Sequence, residues 1–137
     1  MSAVAGDTSL RQLEFYVIED DPDHQMIAQM TLRSAGIDQI TFFDTGEDAI
    51  SFFETRDPKS SEKPRVILID LMLPAIGGLE ILQHLRHDAR WGASTMIVLS
   101  CSTSDEDRAK SREYGADRFL SKPLRLENVL EIISSLG

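Results

Sequence analysis

The chain has one cysteine, Cys101, among its 137 residues. No intramolecular disulfide can staple it, and a reducing compartment is expected. No stretch approaches the unbroken apolar length that spans a bilayer, and residues 1–12 carry no positive cluster followed by an apolar run. A membrane location is therefore not expected, and the cytoplasm is. Positive charge is scarce: 14 basic residues face 23 acidic ones, a formal charge of −9. Such a surface repels the phosphate backbone, so direct contact with nucleic acid is not expected. Internal repeats and low-complexity tracts are missing as well.

What remains is a length that suits one domain with a real core. Residues 1–12 read as a frayed tail and 13–137 as the domain. Apolar strand-like runs recur at Phe15–Ile18, Ile40–Phe43, Val66–Ile69, Met96–Leu99 and Phe119–Leu120, with helix-length segments between them. Asp21-Pro22 supplies an N-cap and a first-turn proline, and Gly36 a stop, with Ile27, Ala28, Leu32 and Ala35 on one face. A second helix starts at Thr45 and turns Ala49, Ile50 and Phe53 inward. The stretch from Asp57 to Arg65 is polar and proline-containing, an exposed connection. Leu79, Leu82 and Leu85 mark a third helix stopping between Asp88 and Gly92, with Trp91 in a loop. Ser104 opens a fourth helix that ends at Gly115, and Leu126, Val129, Leu130, Ile133 and Leu136 lie at helical spacing in a fifth. Five strands alternating with five helices predict an α/β, doubly wound, flavodoxin-like parallel sheet.

In such a sheet the carboxyl ends of the strands share one rim, where ligands and chemistry collect. Four of those ends carry reactive groups: Glu19-Asp20-Asp21, Asp70, Ser100 and Lys122. Asp70 closes the run Val66–Ile69, which is apolar throughout and therefore reads as the strand covered on both faces. Clustered carboxylates repel one another, and a hard divalent cation with oxygen ligands relieves them, which suits Mg2+. With that charge offset, one carboxylate can attack phosphorus while Lys122 and a hydroxyl share the charge on the transferring oxygens. Taken singly, each acid is most simply a helix cap or turn former. Lys122 alone is a solvated lysine, Ser100 a strand-end hydroxyl and Phe119 a core ring. Joint placement at four strand ends is what favours chemistry.

The motifs VIEDDP (Val17–Pro22), ILIDLMLP (Ile67–Pro74), IVLS (Ile97–Ser100) and YGADRFLSKP (Tyr114–Pro123) together resemble the receiver domains of two-component response regulators, over essentially all of Phe15–Leu136. The resemblance implies the CheY-like fold with strand order 2-1-3-4-5, an order that counting strands does not yield. It implies that Asp70 is the phosphoacceptor, taking its phosphoryl group from phosphohistidine on a sensor histidine kinase or a histidine phosphotransfer protein. It implies Mg2+ held by Asp20 and Asp70 directly, by Glu19 mainly through a water, and by the backbone carbonyl of Met72. Ser100 matches the switch hydroxyl, Phe119 the aromatic that changes rotamer with it, and Lys122 the phosphoryl-binding lysine, with a cis bond expected between Lys122 and Pro123. The implied readout face, to a downstream protein or to a second copy in a homodimer, is the fourth helix, fifth strand and fifth helix. Little room is expected for an output domain, and the small regulators paired with bacteriophytochromes are similar in the polar insertion and in LSCSTSDED.

Three positions depart from the common pattern. Ser100 stands for a more usual threonine, Cys101 for a small residue, and Gly77-Gly78 for an Asp-Gly turn. Cys101 is expected to pack, since no basic neighbour in sequence lowers its thiol pKa. Met72 and Ser102 occupy positions that often tune loss of the phosphoryl group, and methionine cannot orient an attacking water. His84 and His87 read as a solvated pair, and His24 as a residue near the acidic pocket. The alternative reading is a phosphatase of the haloacid dehalogenase type, an enzyme that also uses an aspartyl nucleophile with Mg2+. It wants a second aspartate two residues after the first, and Met72 stands there.

Overall fold

A computed structural model of the protein describes residues 13–58, 64–102 and 104–136. The expected tail over residues 1–12 and the middle of the polar connection after Asp57 lie outside the described residues. The strands are β1 (Glu14–Ile18), β2 (Gln39–Phe43), β3 (Arg65–Asp70), β4 (Thr95–Ser100) and β5 (Arg118–Ser121). The helices are α1 (Pro22–Ser34), α2 (Gly46–Thr55), α3 (Gly78–Arg86), α4 (Asp105–Glu113) and α5 (Leu126–Leu136). All strands pair parallel, in the order β2-β1-β3-β4-β5 that the resemblance implies. Every residue of β3 is buried, as a central strand covered on both faces must be.

Two apolar layers flank the sheet. On one side Ala28 and Leu32 of α1 and Val129 and Ile132 of α5 pack on Phe15, Val17, Leu68 and Ile97. On the other, Ala49 and Phe53 of α2 and Ile81, Leu82 and Leu85 of α3 pack on Tyr16, Ile18, Ile67 and Ile69. The second layer holds the aromatic cluster, with Phe53 and Trp91 edge to face at 4.7 Å between centroids. The α3–β4 loop also closes the end of α2, whose last carbonyls have no partner inside the helix. Trp91 Nε1 donates to the carbonyls of Phe53 (3.0 Å) and Arg56 (3.1 Å), and Arg90 Nη2 to those of Phe53 and Glu54. Asp88 holds the loop by accepting from Arg90 and Trp91.

The caps fall where the sequence places them: Asp21, Thr45 and Ser104 each accept first-turn N–H groups, and Gly36 and Gly115 take positive φ past helix ends. Four expectations need correction. The third helix ends at Arg86, earlier than the spacing predicts, because Asp88 and Trp91 are used in the cap just described. On α5 the buried stripe runs through Val129 and Ile132, leaving Leu126 (39%) and Leu130 (50%) exposed. Ile27 lies 40% exposed at the margin of the α1 face, a short turn from buried Ala28. Cys101 is exposed rather than packed, because it follows the last residue of β4 and leaves the sheet.

Candidate functional site

The parallel sheet brings the ends of β1, β3, β4 and β5 to one rim, and register sets who meets whom. Ile18 pairs with Ile69, Asp70 with Leu99, and Ser100 with Ser121, so Glu19, Asp70, Ser100 and Lys122 fall at one level. Lys122 is tied in further by its backbone N–H, which donates to the carbonyl of Ser100 at 2.9 Å. The bond from Lys122 to Pro123 is cis, as expected. Beneath the rim, Gly78 is required by close approach: a Cβ there would stand 2.2 Å from the carbonyl oxygen of Asp70. The Gly77-Gly78 departure noted in the sequence thus keeps the residue that the acceptor strand needs.

Three carboxylates converge. Oxygens of Glu19, Asp20 and Asp70 all lie within 4.8 Å of one another, with Glu19 and Asp70 buried and Asp20 exposed. Lys122 Nζ donates to Glu19 Oε1 at 2.5 Å and stands 3.3 Å from Asp70 Oδ2. Asp70 Oδ1 accepts the backbone N–H of Met72 at 3.1 Å, and Glu19 Oε2 that of Asp21 at 3.2 Å. Burial raises the Glu19 carboxyl above the ordinary range and the charge of Asp70 adds to that, against the pull of Lys122 and the Asp21 N–H. For Lys122, burial alone would push the ammonium down. The bond to Glu19 and the charges of Asp70 and Glu19 outweigh it, and the net shift is upward.

Ser100 is fully buried and its Oγ accepts the N–H of Ser102 at 3.0 Å. Phe119 is half-buried, with the Arg108 guanidinium 5.0 Å above its ring. The Met72 side chain is 71% exposed. Asp21 is used as the α1 cap, accepting from Asp23 (2.8 Å) and His24 (3.3 Å), and the first of these holds its carboxyl below the usual range. His84 Nε2 lies 3.6 Å from Glu54 Oε2, and His87 Nδ1 lies 2.8 Å from the Gln83 carbonyl oxygen; the two histidines do not converge on a common point with other ligands among the described residues.

Two further residues join the rim: Gln25, which sequence reasoning left aside, and His24, which it placed near the acidic pocket. Gln25 Nε2 donates to the Glu19 carbonyl at 2.6 Å and to Asp44 Oδ1 at 2.7 Å, bracing the acidic turn against β2. His24 Nδ1 lies 3.0 Å from Lys122 Nζ. The signal for both was position: the first turn of a helix capped at Asp21 stands over the rim that Glu19 lines.

Comparison with known proteins decides the family. The model of the response regulator receiver domain matches residues 15–134. The chain belongs to that family. It is thus the receiver domain of a response regulator of two-component signalling, a class of signalling module whose partners are histidine kinases and phosphotransfer proteins. PilG of Pseudomonas aeruginosa is 28% identical over 123 residues, 90% of this receiver and 86% of PilG. RpaA of Synechocystis, described as a DNA-binding dual master transcriptional regulator, is 28% identical over 88% of this chain but only 47% of its own length. FilR2 of Methanothrix harundinacea is 33% identical over 53% of this chain and 47% of its own length, so the chain spans about half the length of RpaA and FilR2. Among solved structures, the bacteriophytochrome response regulator RtBRR matches with a TM-score of 0.75 at 25% identity, over 90% of this chain and 77% of that one. No helix among the described residues is long and apolar enough to cross a membrane.

Proposed function

We propose that the protein accepts a phosphoryl group on Asp70 from phosphohistidine of a sensor histidine kinase or histidine phosphotransfer protein, in a Mg2+-dependent reaction, and signals through protein contacts that depend on the phosphorylated state. The observation that carries this reading is the charge count at the rim among the described residues: three convergent carboxylates, two of them buried, against the single ammonium of Lys122. Such an excess suits a dication with oxygen ligands. Asp20 and Asp70 would hold it directly, with the Met72 carbonyl. Both Glu19 oxygens already accept hydrogen bonds, which favours its acting through a water. When bound, the ion supplies neutralisation of the acidic cluster and of the phosphoryl oxygens.

The chain's own residues do the rest. An Asp70 oxygen forms the new O–P bond while the N–P bond of the donor breaks, its electron pair leaving with the imidazole nitrogen. The Met72 N–H holds Asp70 in place, and Lys122, on the far oxygen, takes up charge on the transferring group as a compact cation. The Ser100 hydroxyl, buried and held by the neighbouring Ser102 N–H, is the donor that the new dianion recruits; its shift opens space for the Phe119 ring to follow, leaving Arg108. The face of α4, β5 and α5 then reads out the change to a downstream protein. A phosphatase of the haloacid dehalogenase type has less support, because the exposed side chain at position 72 offers no acid to protonate a leaving group.

The test is incubation with acetyl phosphate and Mg2+ followed by intact mass. Addition of one phosphoryl group that requires Mg2+ and disappears in Asp70→Asn is the expected result. No addition, or an addition that survives Asp70→Asn, overturns the reading.

A further inference from the structure

The contact between His24 and Lys122 has no part in the chemistry above, yet its geometry is specific. Nδ1 of His24 lies 3.0 Å from Lys122 Nζ, 3.6 Å from Glu19 Oε1 and 3.9 Å from Asp21 Oδ2. A lysine ammonium has three N–H donors and no acceptor. The imidazole nitrogen facing it must therefore be the acceptor, with the ring proton on Nε2. A proton on Nδ1 would set donor against donor at hydrogen-bond distance. The ammonium then has three acceptors for its three donors: Glu19 Oε1, His24 Nδ1 and Asp70 Oδ2.

We propose that His24 is a positioning residue for phosphoryl transfer: by accepting one N–H of Lys122, it leaves the lysine a single donor aimed at Asp70 and at the group Asp70 carries. The inference rests on the reading of Asp70 as phosphoacceptor. Lysine is a flexible point charge. With two of its three donors anchored, the tetrahedral geometry of the ammonium sets the direction of the third. The surroundings make His24 hard to replace. It edges a cavity of about 250 Å³ whose other walls include Val17, Ile27, Leu99 and Leu124, and apart from Glu19, His24 and Lys122 no lining residue among the described ones carries a side-chain oxygen or nitrogen. Without the imidazole, the nearest carboxylates are Glu19, already bound to Lys122, and Asp21, engaged as the α1 cap, and the ammonium samples positions that stabilise the transferring oxygens less well.

The experiment compares the rate of phosphoryl uptake from acetyl phosphate, at saturating Mg2+, in the wild type, His24→Leu and His24→Asn. Leucine fills the space without an acceptor, whereas the asparagine Oδ1 stands near the place of Nδ1. His24→Leu is expected to slow uptake about tenfold, the scale of one hydrogen bond to a charged group. His24→Asn is expected to recover most of the rate, with equal melting temperatures throughout, since the His24 side chain is 36% exposed. The ¹⁵N spectrum of the wild-type ring should show the proton on Nε2. A His24→Leu rate within twofold of the wild type, an asparagine variant as slow as leucine, or a ring proton on Nδ1 each overturns the proposal alone. A wild type that takes up no phosphoryl group overturns the reading of Asp70 and this inference with it.

Discussion

Strands β1 and β3 bury charge at both of their ends. At the amino ends Glu14 and Arg65 are register partners and both buried. Arg65 Nε donates to Ser94 Oγ at 3.3 Å, and its guanidinium lies 5.5 Å from the Trp91 ring centroid. Burial, with the Glu14 charge, pushes the Tyr16 hydroxyl there up to about 12. One acid and one base are register neighbours at this end, Trp91 lies over the base, and Glu14 Oε1 is buried with no hydrogen-bond partner among the described residues. At the carboxyl ends Glu19, Asp20 and Asp70 face, among the described residues, the one ammonium of Lys122, beside a cavity. Buried charge by itself therefore does not mark function. An end whose buried charges balance in number needs no bound ion, whereas an unbalanced cluster at a strand-end rim suits a ligand of opposite charge.

That contrast can be broken from either end. Lys122→Met should cut phosphoryl uptake by about 10²–10³-fold, the cost of removing one charge-stabilising donor, as followed by intact mass over time. Arg65→Met should leave the uptake of folded protein unchanged but cost about 3–5 kcal/mol in a denaturant melt, because it leaves buried Glu14 without the opposite charge at its register position. Uptake lost in Arg65→Met, or kept in Lys122→Met, would erase the distinction between the two ends. Mg2+ at a hundred times its Kd should stabilise the wild type by about 2.7 kcal/mol and Asp20→Asn by far less, measured as the shift in thermal melting. Arg65→Met should keep the full shift.

Smaller effects sharpen the picture. The Asp88 carboxyl is held below its ordinary range chiefly by Arg90, with the Arg90 and Trp91 N–H groups adding to it. A depressed carboxyl contributes stability that is present above its unfolded pKa, near 4, and is lost as pH falls through the lower folded value. The wild type should therefore lose about 1 kcal/mol more than Asp88→Asn between pH 5 and 2, an order of magnitude set by one charge-assisted bond; parallel pH profiles would count against this cap. Met72→Asn should shorten the lifetime of phosphorylated Asp70 several-fold, because the exposed position 72 can then orient an attacking water. Equal lifetimes would remove the side chain of Met72 from the account while leaving its N–H on Asp70.

Most of the fold was legible because its signals are local. The apolar runs of five strands, the caps at Asp21, Thr45 and Ser104, and the glycines after α1 and α4 each act within a few residues. Glu19, Asp70, Ser100 and Lys122 were legible for the same reason, since each follows a run whose carboxyl end must reach the common rim. Trp91 was legible only as a loop residue. Its use as a plug on the last carbonyls of α2 joins segments 38 residues apart and leaves no periodicity to read. The exposed Leu126 and Leu130 misled because helical spacing identifies a stripe but not how the helix is rolled onto the sheet.

The order of residue types along the chain specified an α/β sheet with an acidic rim and named the residues on it, because strand and helix periods and caps are short-range properties. That the acids of β1 and β3 converge was settled only by packing, since it depends on which strand ends lie side by side. Asp20 joins the cluster while its neighbour Asp21 turns to the α1 N-terminus, one residue and one backbone rotation apart. The link from His24 to Lys122, 98 residues away, exists only because the start of α1 and the end of β5 are brought to the same carboxyl-end rim of the sheet. Distance along the chain carries no information about such a meeting, and the docking of helices on a twisted sheet supplies it.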